Sequence, residues 1–171
     1  MKYPQSSYTF NGQEITLAWI RTNSLSDLYP ITQIYGICFN DQGEILVCRE
    51  KADGKWQIPG GHPEAGETSE ITLVRELEEE VDVKVKNAKV LGVQKVNYPN
   101  NPDKTEGEEF FQARLICDLD ELLPPTPDPA TGNTWERVFV SADKIAEYIK
   151  WGSVGEAMFK DATKLWEETH K

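Results

Sequence analysis

Three glutamates near the middle of the chain have the spacing that metal chemistry needs. Glu76, Glu79 and Glu80 lie three and four residues apart, so on an α-helix, which turns by about 100° per residue, they share one face. Carboxylate oxygens suit hard divalent cations such as Mg²⁺ or Mn²⁺. The alternative is an ordinary solvated helix face, where like-charged neighbours at this spacing cost only about 0.2 to 0.5 kcal/mol per pair.

The segment around these glutamates holds much of the acidity of the chain. Between His62 and Asp82 there are eight acidic residues and one basic residue, Arg75. If this face lines a cleft, two carboxylates ~6 Å apart repel each other by about 3 kcal/mol at an effective dielectric near 20. A divalent cation between them relieves that repulsion. The charge density therefore favours a cation site if the surrounding chain forms a cleft.

A double glycine and a longer pattern surround the predicted helix. Gly60 and Gly61 precede it, and glycine lets the backbone approach a ligand closely. From Gly61 to Val83 the chain has a glycine, a glutamate six residues on, seven further residues, and then Arg-Glu-Leu-Glu-Glu-Glu-Val-Asp-Val. This spacing resembles the Nudix box of the Nudix hydrolase family. One position departs from it, since Asp82 stands where the family has a helix-ending glycine, and Asp tolerates that left-handed conformation at modest cost.

The resemblance implies roles for residues of the box. Mg²⁺, with Mn²⁺ as a substitute, would be bound by Glu76, Glu79 and Glu80, and the Gly60 carbonyl would be a further ligand. In the family the counterpart of Arg75 is held by a glutamate of the preceding loop, which is Glu67 here, and this pair braces the loop against the helix. The base that activates water varies among members and is sometimes a loop carboxylate. Our first choice is Glu76 or Glu79.

Three more residues are candidates around the metal and the substrate. Glu136 stands where many members carry an additional carboxylate near the metal, and an ordinary glutamate at a strand start fits the position equally well. Arg49 ends an apolar run, so its guanidinium could hold a substrate phosphate through two hydrogen bonds. A solvated strand end is at least as good an interpretation of Arg49. The backbone of Gly61 would lie against the substrate.

The elements that must position these residues follow from hydrophobic periodicity. Ile71, Val74, Leu77 and Val81 recur at helical spacing and predict a helix over 68–81 with the three glutamates well away from this apolar stripe. Alternating and apolar runs predict strands at residues 8–10, 14–20, 34–39, 45–48, 83–98, 110–117 and 138–140. Proline and polar clusters predict loops at 99–107 and 122–133, and helices are predicted over 145–149 and near the C-terminus.

The order of these elements favours an α/β (α+β) fold. Strands outnumber helices, yet helices lie between and after them, which is typical of a mixed sheet with helices on its faces. Asn11-Gly12 is a strong hairpin signal. We expect a Nudix-like α/β/α sandwich with a mixed β-sheet, in which residues 1–30 form an N-terminal β-ribbon and connector and residues 31–171 form the Nudix hydrolase domain of a single globular unit.

The composition restricts the partners and the compartment. The 171 residues include 29 acidic and 18 basic side chains, a net charge of -11, which argues against binding to nucleic-acid duplexes or membranes. Cys38, Cys48 and Cys117 lie in apolar runs without metal-ligand spacing, so we interpret them as buried thiols. The sequence shows no signal-peptide core and no apolar stretch of membrane-spanning length, so a cytoplasmic location is expected. The expected oligomeric state is a monomer or a homodimer.

These observations predict a Mg²⁺-dependent pyrophosphohydrolase, an enzyme that hydrolyses phosphoric anhydrides. The expected substrate is a small nucleoside diphosphate linked to another moiety, of the ADP-ribose or nucleotide-sugar type. Pro99 lies 16 residues beyond Val83, a spacing that resembles members acting on ADP-ribose and that chance also meets easily. The alternatives are a nucleoside triphosphate pyrophosphohydrolase and a non-catalytic Nudix-like nucleotide-binding module. An acidic scaffold without bound metal is a further possibility, and millimolar Mg²⁺ binding would separate it from the others.

Overall fold

The computed structural model describes residues 2–52 and 54–171. A short 3-10 helix at Ala142–Lys144 leads into the second α-helix. The elements, in chain order, are β1 (Gln5–Phe10), β2 (Gln13–Arg21), β3 (Ile31–Phe39), β4 (Ile45–Arg49), β5 (Gly60–Gly61), α1 (Ser69–Val81), β6 (Val83–Asn97), β7 (Glu109–Leu122), β8 (Glu136–Val140), α2 (Ile145–Tyr148) and α3 (Gly152–Thr169).

The strands form one mixed sheet in the order β1-β2-β6-β7-β3-β4-β8, and the short β5 pairs with β3. Strands β3 and β7 are parallel, whereas the other pairs are antiparallel. The β1-β2 hairpin turns at Asn11 and Gly12, which both have positive φ, as this dipeptide predicts. Because β2 pairs with β6, the predicted N-terminal ribbon continues the same sheet. A separation of residues 1–30 from 31–171 stays a prediction.

Helices cover both faces of this sheet. On one face, Leu73 and Leu77 of α1 pack with Cys38 of β3 and other buried side chains. On the opposite face, the neighbouring residues Ile37 and Phe39 of β3 pack with buried residues of α3. This alternation is what a strand produces, since successive side chains point to opposite faces. The predicted α/β/α sandwich with a mixed sheet is therefore confirmed.

The helix α1 packs with a different face from the one that the sequence predicted. Ile71 and Val74, two members of the predicted apolar stripe, are 53% and 41% exposed. The buried side chains are Thr72, Leu73, Leu77 and Val81. On a helical wheel, Val74 lies about 20° from Val81, just beyond the edge of the buried face, and Ile71 lies about 80° from Val81 on the exposed side.

This rotation brings the acidic side chains closer to the sheet than expected. On a helical wheel, Glu76 and Glu80 lie between the buried positions Thr72 and Leu77. Gly36 of β3 permits close packing here, because a Cβ at that position would stand 2.7 Å from Leu73 Cδ1. The expectation that all three glutamates lie well away from the packing face is therefore wrong for Glu76 and Glu80.

Two further expectations concern residues distant from the helix. The three cysteines are free thiols and all are buried, as predicted. The longest helix of the described residues is α3, with 18 residues. In residues 2–52 and 54–171, no helix combines the length and the apolar character that crossing a membrane requires.

The packing of α1 generates a stability prediction. We expect Leu77→Ala to lower the free energy of unfolding by about 2 to 5 kcal/mol, because a fully buried side chain leaves a cavity. The matched variant Val74→Ala should change it by about 0.5 kcal/mol or less, since Val74 is exposed. Urea denaturation followed by circular dichroism measures both. Equal losses in the two variants would contradict the observed helix orientation.

Candidate active site

An arginine braces the loop before α1 against the helix. Arg75 Nε donates to Glu67 Oε1 at 2.7 Å and Nη2 donates to Glu67 Oε2 at 3.0 Å, which is a bidentate pair. Arg75 Nη2 also donates to the carbonyl of His62 at 3.0 Å. The hydroxyl of Thr72 and the amide of Glu64 donate to the same carboxylate, at 2.7 and 2.9 Å. The contact that the resemblance implied for Glu67 and Arg75 is present, and its part in catalysis stays a prediction.

These contacts shift the proton affinity of both partners. Hydrogen bonds, first of all that from Arg75, lower the pKa of Glu67 to about 2. The bond to Glu67 likewise raises the pKa of Arg75 above its already high value. Both groups are therefore charged at every physiological pH, and the brace does not titrate.

The double glycine and the carboxylates of α1 lie in direct contact. The backbone N–H of Gly60 donates to Glu80 Oε2 at 3.0 Å. A Cβ on Gly61 would stand 2.5 Å from the carboxyl carbon of Glu76, so only glycine leaves room for that side chain. Pairing of Gly60 and Gly61 with Tyr35 and Ile34 fixes the position of β5 on β3. The structure thus brings together the glycines and two of the glutamates that the sequence singled out.

The three glutamates do not share one environment. Arg75 Nη1 donates to Glu76 at 2.9 Å and to Glu79 at 3.3 Å. The side chain of Glu76 is only 14% exposed, whereas that of Glu79 is 44% exposed. Glu79 therefore lies at the rim, and Glu76 and Glu80 line the interior of the site.

Burial makes ionisation of the inner pair costly. Burial is the main cause of the rise in the pKa of Glu80 to about 8. The hydrogen bond from the Gly60 amide lowers this pKa, and the charges of Glu76 and Asp128 raise it. Burial also raises the pKa of Glu76, although Arg75 opposes the shift. A site that disfavours its own negative charge is one that a cation stabilises.

The donor set fits a hard divalent cation. Three carboxylates and the nearby Gly60 carbonyl offer the oxygen ligands that Mg²⁺ and Mn²⁺ prefer. Within the described part of the chain, no three acidic, histidine or cysteine side chains already surround one point as a metal site would. Arg75 Nη1 binds Glu76 and Glu79, whereas the Gly60 amide binds Glu80, so the three carboxylates have different partners.

Glu136 and Arg49 contact each other. They are cross-strand partners on β8 and β4, and Arg49 Nε lies 2.5 Å from Glu136 Oε2. The guanidinium of Arg49 also lies over the ring of Trp56, 4.5 Å from its centroid. No hydrogen bond in residues 2–52 and 54–171 joins either side chain to Glu76, Glu79 or Glu80. Metal binding by Glu136 and phosphate binding by Arg49 stay predictions.

A fourth carboxylate reaches the site from a loop whose shape the sequence did not reveal. Asp128 is buried in the proline-rich segment between β7 and β8, and its charge contributes to the raised pKa of both Glu76 and Glu80. The indole of Trp135 donates to Asp128 at 3.1 Å, and the amide of Ala130 donates at 2.7 Å. The only sequence signal was an acidic residue among prolines, which is also common in solvated loops.

The residue that departs from the box pattern fastens this loop to α1. Asp82 ends the helix in the left-handed conformation, with φ 52° and ψ 47°, as its tolerance of that region allows. Its carboxylate accepts hydrogen bonds from the hydroxyl of Thr126 and, at 2.9 Å, from the Thr126 amide. Its carbonyl accepts from the Leu123 amide at 2.8 Å and from Arg137 Nη1 at 2.8 Å. A glycine would end the helix equally well without the side-chain bonds.

Most of the chain matches a known protein family. A family model described as the NUDIX domain matches residues 31–168. The NAD-capped RNA hydrolase NudC of Pseudomonas fluorescens is 30% identical over 96 residues, which cover 49% of this chain and 35% of that protein. The RNA pyrophosphohydrolase of Edwardsiella ictaluri is 46% identical over 55 residues, 32% of this chain and 30% of that protein. The matched segments thus span about a third of these relatives.

A solved structure supports the fold over nearly the whole chain. The Bacillus subtilis pyrophosphohydrolase BsRppH superposes with a TM-score of 0.63 over 95% of this chain and 97% of that chain. The sequence identity is 19%, so this likeness concerns the fold. The mixed sheet with helices on both faces is common to the two proteins.

The Asp82 contacts generate a prediction about the loop. Asp82→Gly keeps the helix end, because glycine adopts the left-handed conformation freely, but removes both bonds to Thr126. We expect amide hydrogen exchange in residues 123–133 to accelerate by at least about tenfold, since each bond to a charged group contributes about 1.5 to 3 kcal/mol. Asp82→Asn, which retains one side-chain acceptor, should show a smaller change. Unaltered exchange in the glycine variant would show that the loop is held by other contacts.

The raised pKa of Glu80 generates a pH prediction. Its folded pKa of about 8 exceeds the ordinary value of 4.5, so its contribution to stability is complete below about pH 4.5 and is lost as the pH rises through 8. In EDTA, the wild type should therefore lose stability between pH 5 and 8 relative to Glu80→Gln. Urea denaturation at several pH values measures the difference. Parallel curves for the two proteins would contradict the shift.

Proposed function

Because the chain belongs to the Nudix hydrolase family, we propose that it hydrolyses the diphosphate bond of a nucleoside diphosphate linked to another moiety. The proposed cofactor is Mg²⁺, with Mn²⁺ as a substitute. The observation that carries this proposal is the partly buried pair Glu76 and Glu80 against the double glycine, with Glu79 at the rim. These are the carboxylates that the family resemblance assigns to the metal.

Each residue of the site has a role in the proposed reaction. Bound divalent cations would neutralise charge on the phosphate oxygens and make water more acidic. Glu76 or Glu79 accepts the proton of the attacking water. Glu67 and Arg75 hold the loop and the helix in register. The glycines leave open backbone against which the substrate phosphates can lie.

The names of the relatives bear on the substrate class. The relative from Pseudomonas fluorescens is named for NAD-capped RNA, and NAD contains a diphosphate that links a nucleoside to another moiety. This agrees with the proposed substrate. The relative from Edwardsiella ictaluri is named an RNA pyrophosphohydrolase, which favours a second candidate, removal of pyrophosphate from a nucleoside triphosphate. The complete carboxylate set disfavours a module that binds nucleotides without hydrolysing them.

A substrate panel separates the two enzymatic candidates. The protein is incubated with Mg²⁺ and ADP-ribose, a nucleotide sugar, NAD or a nucleoside triphosphate, and the phosphate-containing products are separated by ion-exchange chromatography. The first candidate predicts two nucleoside or sugar monophosphates. The second predicts pyrophosphate and a nucleoside monophosphate. Absence of turnover with every compound, while Mg²⁺ binds, would favour the binding module.

Substitution of Glu79 tests the metal assignment. We expect Glu79→Gln to lower kcat by about two to four orders of magnitude, because loss of a charged ligand weakens transition-state stabilisation. The fold should persist, since Glu79 is at the rim. The matched control is Glu78→Gln, an exposed neighbour on the same helix, which should retain activity within about threefold of wild type. Wild-type turnover in Glu79→Gln would refute the assignment.

A further inference from the structure

A cationic cavity lies on the face of the sheet that α3 covers, with Tyr35 and Trp151 in its wall. It has a volume of about 580 Å³ and is lined by residues of β1, β3, β7 and the start of α3, among others. Its basic side chains are Arg114, Lys55 and Lys150, and no acidic side chain of the described residues lines it. In a chain with a net charge of -11, a cavity with three cations and no lining carboxylate concentrates positive potential locally.

Arg114 is a buried cation without a counter-ion. Its side chain lies on β7 and the residue is 2% exposed. Nη1 and Nη2 make only long bonds of 3.3 Å, to the Ala113 carbonyl and to Gln112 Oε1. In the described chain, Nε has no hydrogen-bond partner. Burial lowers the pKa of Arg114 to about 10, which leaves it charged at neutral pH and in need of an anion.

Aromatic rings hold the guanidinium in place. Its central carbon lies 4.5 Å from the ring centroid of Tyr35 and 5.9 Å from that of Trp151. Such stacking orients an arginine without consuming its N–H donors. The donors therefore remain for a ligand, and an arginine presented in this way suits the planar, bidentate recognition of phosphate.

Two strand pairings connect Arg114 to the glycine whose amide binds Glu80. Arg114 is the partner of Tyr35 across the parallel β3-β7 pair, and Tyr35 is the partner of Gly60, whose amide bonds Glu80. Two strand spacings amount to roughly 10 Å. Burial is the main cause of the raised pKa of Tyr35; the charge of Arg114 lowers this pKa, and the charges of Glu80 and Glu76 raise it. The Tyr35 hydroxyl is therefore within electrostatic reach of both the cavity and the carboxylates. A nucleotide could therefore span both sites.

We propose that the cavity of Arg114, Lys55 and Lys150 binds a phosphate group of the substrate while the α1 carboxylates act on the bond that is cleaved. The proposal rests on the proposed function for the identity of the substrate. It also assigns a role to the N-terminal hairpin, because Ser6, Ser7 and Tyr8 of β1 form part of the cavity wall. A neutral ligand would leave the three cations unpaired, so the anionic group determines binding.

Binding without metal tests the cavity separately from hydrolysis. In EDTA, Trp fluorescence and calorimetry are used to titrate the protein with ADP and with adenosine. We expect ADP to bind at least about tenfold more tightly than adenosine, since the two differ in the phosphates that the cations would hold. Lys55→Ala/Lys150→Ala should lower the ADP affinity by about tenfold and leave adenosine unaffected. The matched control Lys164→Ala removes an exposed cation of α3 outside the cavity and should bind ADP as wild type does.

Arg114→Met provides the decisive variant. It removes the charge at similar length, and replacing an unpaired buried charge by an apolar group often preserves stability. A loss of ADP affinity of tenfold or more, with an unchanged thermal midpoint, supports the proposal. The proposal is overturned if the double lysine variant and Arg114→Met bind ADP as wild type does, or if the wild type does not prefer ADP to adenosine. If Arg114→Met does not fold, the double variant decides alone.

Hydrolysis is then measured with Mg²⁺ on the same proteins. Cavity-dependent ADP binding without turnover of any diphosphate would leave the cavity assignment standing and refute the proposed function. If instead the cavity variants hydrolyse the substrate with the kcat and KM of the wild type, the cavity assignment is refuted and the proposed function stands.

Discussion

The partial burial of carboxylates, which makes their ionisation costly, is the constraint on which this site depends. Glu76 and Glu80 lie on the side of α1 that faces the sheet, and Asp128 joins them from a distant loop. Ionised carboxylates in such surroundings are destabilising unless they are neutralised by protons or cations. Two contacts keep the carboxylates in this position: Leu73 and Leu77 pack against the sheet, and Arg75 ties the helix to Glu67 of the preceding loop. The same burial that disfavours the free carboxylates would favour the proposed binding of a divalent cation by them.

Contacts at both ends and in the middle of α1 hold this helix in position. At the N-terminal end, the Thr68 hydroxyl accepts from the Ile71 amide and caps the helix. In the middle, Arg75 ties the helix to the preceding loop. At the C-terminal end, Asp82 and Arg137 connect the helix to the segment that carries Asp128. The helix is therefore held at its two ends and in its middle, as the proposed catalytic role of its glutamates would require.

Opposite charges are segregated on the two sides of Tyr35. The carboxylates lie on the Gly60 side, and Arg114 with its neighbouring lysines lies on the other. A phosphate compound that meets both sides would contact cations directly at one end and would need metal ions at the other. In a chain with an acidic excess, a local group of cations would favour the binding of a polyanionic substrate.

The sequence by itself determined the parts of the site that depend on local spacing. The shared face of the α1 glutamates and the Asn11-Gly12 turn follow from residues close together in the chain, whose relative geometry a helix or turn dictates. The double glycine and the pair of Arg75 and Glu67 were implied by the resemblance to the Nudix box. Only the tertiary structure decided which side of α1 is buried, because exposure of Ile71 and Val74 depends on where the sheet lies. It also decided the approach of Asp128, the fastening role of Asp82 and the isolation of Arg114, since each involves residues that are distant in sequence and meet only when the strands are paired.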